Sequence, residues 1–262
     1  MSAAEFARKL RNRERIVGYW IMLDAPAATE RVARLGYDYV CLDGQHGLIG
    51  YTGLLNGVTA IDAAGSATPL IRPVSNDPGA IGRALDTGAG GVIVPLVDTA
   101  EQAAAAVRAT RYPPRGVRSY GPVRSDLRIG PKPADADDSV VVVAMIETAT
   151  GLANVDEIAA TPGLDAVYVG PADLCLAVGG AHPGDPQVAA EFDAAVARVR
   201  DSAARQGVAA GIHTNDGETA ARHLADGFTF ATVSCDVQHL ERAAAGHLEN
   251  ALGAAVRVEQ TY

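Results

Sequence analysis

The chain has 262 residues, 48% of them hydrophobic. That length suits one large α/β domain or two small ones, and the composition favours one core burying roughly 70–75% of its unfolded surface. The charge balance, 22 Lys+Arg against 31 Asp+Glu for a net −9, excludes the basic stripe of a nucleic-acid binder.

Short β-branched runs alternate with Ala-rich stretches along the chain. The first strand candidate is Ile16–Met22, followed by an amphipathic segment Ala27–Leu35 that Gly36 should end. Strand candidates Asp38–Asp43 and Pro69–Pro73 come next, then a helix over Asp77–Thr87 with Pro78 in its first turn and Gly88 beyond its end. After the strand Gly91–Leu96, Asp98-Thr99 caps a helix over Thr99–Thr110 that carries Glu101 in its first turn. Arg111–Asp138 then breaks the rhythm: it is rich in Pro and Gly, holds five arginines and Lys132, and reads as a long functional loop. Strands Val140–Glu147 and Asp165–Gly170, a helix Gln187–Arg205 closed by Gly207, a strand Val208–Ile212, a helix Asp216–Ala225 and a strand Phe228–Ser234 complete the series. The Ala-rich segment Leu240–Val256 suits helix packing. Continuous apolar runs such as VIVPL and VVVVAMI are the pattern of parallel strands buried on both faces. Eight strands with intervening helices predict a single-domain (β/α)8 (TIM) barrel over residues 1–262. A doubly wound sheet would show a glycine-rich phosphate loop after its first strand, and GYWIMLDAPAA has none.

The three cysteines, Cys41, Cys175 and Cys235, lie far apart without CxxC spacing, which suggests neither a disulfide framework nor a thiolate zinc site. The N-terminus lacks an apolar signal segment, and no run approaches the roughly 18 apolar residues of a membrane span, so the expectation is a cytoplasmic protein with no membrane partner.

Barrel sites lie at the C-terminal ends of strands. Asp43 and His46 fall at the mouth of the second strand, Arg72 at the third, Glu147 at the fifth, Asp173 after the sixth, His213 at the seventh and Asp236 at the eighth. Taken singly, each has a plainer reading: Asp173 as a helix cap, His46 as a surface histidine, Asp86 as a surface carboxylate near a helix end, and the loop arginines as a solvated face or as acid-group binders. His182, His223, His239 and His247 fall in loops or helices. Together the strand-end groups predict a site. Glu147 closes an apolar run, where an unpaired charge is costly. Two carboxylates, Glu147 and Asp173, make an oxygen-rich site with open positions, suited to Mg²⁺, Mn²⁺ or Co²⁺. Arg72 could neutralise negative charge developing on an oxygen, and His46 is the natural general base. Such a set suits chemistry at the carbon alpha to a carbonyl.

At these residues the sequence resembles the HpcH/HpaI aldolase family of metal-dependent (class II) 2-oxo-acid aldolases, from about Gly18 to about Gly246. The motifs are DYVCLDGQHG, PLIRPVSNDP, ALDTGAGGVIVPLVDTAEQA, VRATRYPPRGVRSYG, MIETATGLANVDEI and VYVGPADL. The resemblance implies a carbon–carbon lyase that reversibly cleaves a 4-hydroxy-2-oxo acid to pyruvate and an aldehyde through a metal-bound pyruvate enolate. Glu147 and Asp173 would bind the divalent ion, with no organic cofactor, and the backbone of Gly170, Pro171 and Ala172 would hold the substrate carboxylate. Arg72 would stabilise the enolate, a His46–Asp86 dyad would move the aldol proton, and Asp43 matches a further polar position. The family pattern also implies a homo-oligomer, a hexamer built from dimers, with the C-terminal helical region packing on a neighbour.

Two positions depart from the pattern: Gln45 stands where a glutamate is common beside the base, and Met145 where a glutamine is common two residues before the metal glutamate. Two other readings follow the same residues. One is a citrate-lyase-like acyl-CoA lyase using the loop arginines; the other is a barrel that binds metal and oxo acids without turnover. Lys9 and Lys132 are the only lysines and neither ends a strand, which excludes an imine-forming aldolase.

Overall fold

The computed structural model describes residues 1–255. Eight parallel strands close into a barrel in sequence order, β1 (Ile16–Ile21), β2 (Tyr39–Asp43), β3 (Thr68–Arg72), β4 (Gly91–Val94), β5 (Val141–Ile146), β6 (Ala166–Val169), β7 (Ala209–Thr214) and β8 (Phe230–Cys235). The helices are α1 (Ala3–Arg11), α2 (Pro26–Ala33), α3 (Tyr51–Ala64), α4 (Pro78–Asp86), α5 (Ala100–Thr110), α6 (Asp126–Ile129) and α7 (Pro133–Ser139), then α8 (Ala149–Ala153), α9 (Val155–Ala159), α10 (Pro171–Ala177), α11 (Ala189–Gln206), α12 (Gly217–Ala225) and α13 (Asp236–Leu252). The expected barrel is present, with strand ends shifted by a residue or two. β7 runs further than its sequence signal, to Thr214, and so takes in His213. Of the Leu240–Val256 expectation, Val256 lies outside the described residues. No helix among them is long and apolar enough to cross a membrane.

Two apolar layers hold the barrel. The outward strand faces pack against the surrounding helices through residues such as Val40, Ile71, Val142 and Val167. The inward faces form a second cluster that includes Trp20, Tyr39, Leu70, Val143, Tyr168 and Phe230. Large rings fit inside because glycines face them: a Cβ on Gly18 would lie within the Tyr39 ring, and one on Gly211 within the Phe230 ring. The hydroxyls of Tyr39 and Tyr168 both bond the buried Thr232 Oγ1, so the interior polar atoms pair with one another. The helix α1 was not expected. It buries Phe6, Ala7 and Leu10 in the inner cluster and closes the end at which the strands begin.

The Arg111–Asp138 segment is not a bare loop, since it contains α6 and α7. It joins the end of α5 to the start of β5, which places it at the α1 end of the barrel, away from the strand C-termini. All five of its arginines are paired with carboxylates: Arg111 with Asp165, Arg115 with Asp137 and Asp138, Arg118 with Asp86, and Arg124 and Arg128 with Asp62. Lys9 pairs with Asp38 on the same side, and Lys132 immediately precedes α7.

Candidate active site

Inward residues recur every second position along a strand, so the last inward residue of each strand faces the mouth. Following Tyr39 and Cys41 on β2 this is Asp43; following Leu70 on β3 it is Arg72; following Val143 and Met145 on β5 it is Glu147. Beyond Tyr168 on β6 it is Gly170, and beyond Gly211 on β7 it is His213. Among the residues lining the resulting cavity of about 840 Å³ are Trp20, Arg72, Met145, Glu147, Tyr168, Gly170, Pro171, Ala172, Asp173 and His213. It therefore brings together Glu147, Asp173, Arg72 and the backbone of Gly170, Pro171 and Ala172.

Asp43 is fully buried, and Arg72 is only 4% exposed. Arg72 Nε donates to Asp43 Oδ1 at 2.9 Å, and Nη2 donates to Oδ2. The indole Nε1–H of Trp20 and the backbone N–H groups of Gln45 and His46 also donate to this carboxylate. Burial alone would raise the Asp43 pKa; the hydrogen bonds and charge of Arg72 outweigh it and hold the carboxyl below its usual range. The guanidinium carbon lies 5.2 Å from the Trp20 ring centroid, a cation–π contact that fixes its plane. Asp43 does not line the cavity, so its contribution is to hold Arg72 charged and oriented.

Glu147 is 2% exposed. Its Oε1 accepts from the Leu96 backbone N–H at 2.8 Å, and its Oε2 has no hydrogen bond among the described residues. Burial is the main cause pushing its pKa up to about 7; the Leu96 hydrogen bond and Arg72 oppose the rise, while Asp173 and Asp43 add to it. Asp173, in the first turn of α10, is exposed and makes no hydrogen bond or ion pair among the described residues. A Cβ on Gly170 would collide with Glu147 Oε2, so glycine at the end of β6 makes room for this carboxylate. The described residues hold no cluster of three or more metal-ligating side chains. Two carboxylates lining one cavity, one of them buried and neither in a salt bridge among the described residues, are nevertheless a donor set that fits an oxygen-preferring divalent ion completed by water and substrate.

Three further candidates lie apart from the cavity within one chain. His46 is exposed on the loop after β2, and its side chain neither lines the cavity nor makes a hydrogen bond among the described residues. Asp86 ends α4, which runs back from the mouth, so it sits where β3 begins; it accepts from Arg118 Nη2 at 3.1 Å. Within one chain no His46–Asp86 dyad forms, because the height of the barrel separates the two. Asp236 is a staple: its carboxylate accepts from the backbone N–H groups of Met22 and Leu23 and ties the end of β1 to α13. Sequence reasoning missed Trp20 as a site residue and left His213 without a role. The signal for both was present, since each occupies an inward strand position near the mouth. The two departures also separate: Met145 lines the cavity, while Gln45 lies outside it with its buried Oε1 unpartnered among the described residues.

A parallel eight-stranded barrel whose mouth gathers a buried arginine, two unneutralised carboxylates and a deep cleft belongs to the α/β barrels that carry their site at the strand C-termini. The chain is a member of the HpcH/HpaI aldolase/citrate lyase family, whose model matches residues 16–243. It is 42% identical to a hydroxypyruvate/pyruvate aldolase of Rhizorhabdus wittichii over 86% of this chain and 89% of that one. It is 36% identical to a 4-hydroxy-2-oxo-heptane-1,7-dioate aldolase of Escherichia coli, covering 87% of each. A solved HpcH/HpaI aldolase/citrate lyase family protein from Burkholderia cenocepacia superposes with a TM-score of 0.87 at 34% identity, covering 95% of this chain and 99% of that one.

Proposed function

We propose that the protein is a divalent-metal-dependent aldolase that reversibly cleaves a 4-hydroxy-2-oxo acid to pyruvate, or a close relative of pyruvate, and an aldehyde. The observation that carries the reading is that Glu147 and Asp173, two carboxylates with no salt bridge among the described residues, line one cavity with Arg72. These two residues would hold the ion. When bound, it supplies Lewis-acid polarisation of the substrate ketone.

The chain's own groups account for the rest. The backbone at Gly170–Ala172 borders the place for the substrate carboxylate. His46 accepts the proton of the C4 hydroxyl; the O–H electron pair becomes the aldehyde C=O, and the C3–C4 bond breaks. Its electrons form the C2–C3 double bond, leaving negative charge on the C2 oxygen. Arg72, itself buried and held by Asp43 and Trp20, stabilises that charge. Proton return to C3 gives the 2-oxo acid. Asp86 would orient His46 from a second copy of the chain, since the two lie at opposite ends of one barrel. The acyl-CoA reading finds no support within one chain, because the loop arginines it needs sit at the far end and are spent on Asp62, Asp86, Asp137, Asp138 and Asp165.

The test is aldol addition of pyruvate to glycolaldehyde with and without Mg²⁺ or Mn²⁺. Product should require the ion, disappear on chelation and return on its restoration; undiminished product after exhaustive chelation overturns the reading.

A further inference from the structure

His213 ends the inward row of β7 and lines the cavity together with Arg72 and Glu147. It is half-buried, and its imidazole makes no hydrogen bond among the described residues. The ring stands edge-on to Trp20, with centroids 5.5 Å apart at 87°, and Trp20 in turn stacks near-parallel to Tyr168. Trp20, Met145 and Tyr168 give the cavity an apolar side, against which the imidazole presents a polar edge. Its strand is the neighbour of β6, whose end carries Gly170 and leads to Asp173. A 2-oxo acid anchored between Glu147 and Asp173 therefore has the end of β7 beside it.

We infer that His213 selects the nucleophilic half of the substrate: it hydrogen-bonds a hydroxyl on C3 of the bound 2-oxo acid and so favours a 3-hydroxy-2-oxo acid over pyruvate. The inference rests on the aldolase reading above. A bare methyl at C3 offers the half-buried imidazole no partner, whereas a hydroxyl can donate to its free nitrogen or accept from its N–H. A site built to bond a hydroxyl discriminates strongly against the analogue that lacks it. Proton transfer to C3 is a poorer role for this residue. Burial chiefly, with Arg72 adding to it and Asp43 opposing, pushes its pKa down to about 4, so it stays neutral through the working range and is a weak acid.

The experiment compares kcat/KM for hydroxypyruvate and for pyruvate, with glycolaldehyde as acceptor and saturating Mn²⁺, in wild type, His213→Leu and His213→Gln. Leucine should lower the hydroxypyruvate-to-pyruvate ratio by about tenfold or more, chiefly through KM for hydroxypyruvate. Glutamine, which keeps a donor and an acceptor, should hold the ratio within about threefold of wild type. The wild-type ratio should be flat from pH 6 to 8. An unchanged ratio in His213→Leu, or a ratio that titrates in that window, overturns the role. Exchange of the C3 hydrogens in D₂O, followed by NMR without aldehyde, separates the two levels of the argument. If wild type with Mn²⁺ exchanges neither acid, the aldolase reading fails and this inference with it. If wild type and His213→Leu exchange both acids with the same preference, only the role of His213 fails.

Discussion

Arg72 is held from several sides, by both Asp43 oxygens and by the Trp20 face. Its planar fork is what these contacts recognise, so Arg72→Lys keeps the charge and loses the geometry. The expected result is a fall in kcat of about 10²–10³, the range for removal of one oxyanion donor; rates within twofold of wild type would remove Arg72 from enolate stabilisation. The two perturbed groups at the mouth act in opposite directions. For Glu147 the folded pKa is raised to about 7, so stability from its protonated form is present below about pH 4.5 and lost as pH rises through 7. The carboxylate is the form that takes a cation, so Mn²⁺ should raise the melting temperature more at pH 8 than at pH 6, and Glu147→Gln should abolish the difference. For His213 the folded pKa is lowered to about 4. The unfolded chain takes up this proton near pH 6.5 and the folded one does not, so stability intact above 6.5 drains away as pH falls toward 4, by at most about 3 kcal/mol. His213→Leu should flatten that acid limb in thermal melts of the metal-free protein; a limb unchanged by the substitution would show that the fold does not depress the His213 pKa.

At the level of elements, the site depends on one unusual piece of backbone after β4. Leu96 adopts φ 54°, a left-handed conformation that a non-glycine side chain rarely takes, and from there its N–H meets Glu147. Leu96→Gly removes the steric penalty and keeps the N–H, so the Mn²⁺-induced rise in melting temperature should persist. Leu96→Pro forbids the angle and deletes the donor, and should reduce the apparent affinity for Mn²⁺ about tenfold or more by titration. Equal affinity in the two variants would show that the hydrogen bond does not set the carboxylate. No sequence pattern announces this turn, because leucine carries no signal for positive φ. The strands were legible, since buried parallel strands are written as unbroken apolar runs, and the strand-end rule then named Arg72, Glu147 and Asp173. Helix α3 was not, although Leu54, Val58 and Ile61 repeat at helical spacing. Its Gly53 and Gly57 lower helix propensity, yet they let the helix approach Asp24 and Leu42 closely. Direction along the chain was the other missing element: the antiparallel run of α4 and α5 carries Asp86 and the loop arginines to the opposite end of their own barrel.

That separation makes a prediction about the whole molecule. His46 follows β2 at the mouth, and Asp86 lies beside Arg118 at the α1 end, so no side-chain rotation within a chain can join them. If the pair moves the aldol proton, each working site is built from the His46 of one copy and the Asp86 of another. His46→Ala should lower turnover by about 10²-fold or more, as loss of a general base does. Asp86→Asn, which keeps an acceptor for Arg118, should be impaired as well. Neither variant is repaired by self-association, since every site then lacks the same group. Co-expressed, the two recombine. In a two-fold arrangement the mixed pair has one site lacking both groups and one site with both intact, and half of randomly formed pairs are mixed, so activity should return to about a quarter of wild type. Differently tagged subunits allow the mixed species to be purified and its activity per site measured directly. Recovery no greater than the average of the two variants assayed alone would show that the pair does not form between copies, and His46 would then act without Asp86.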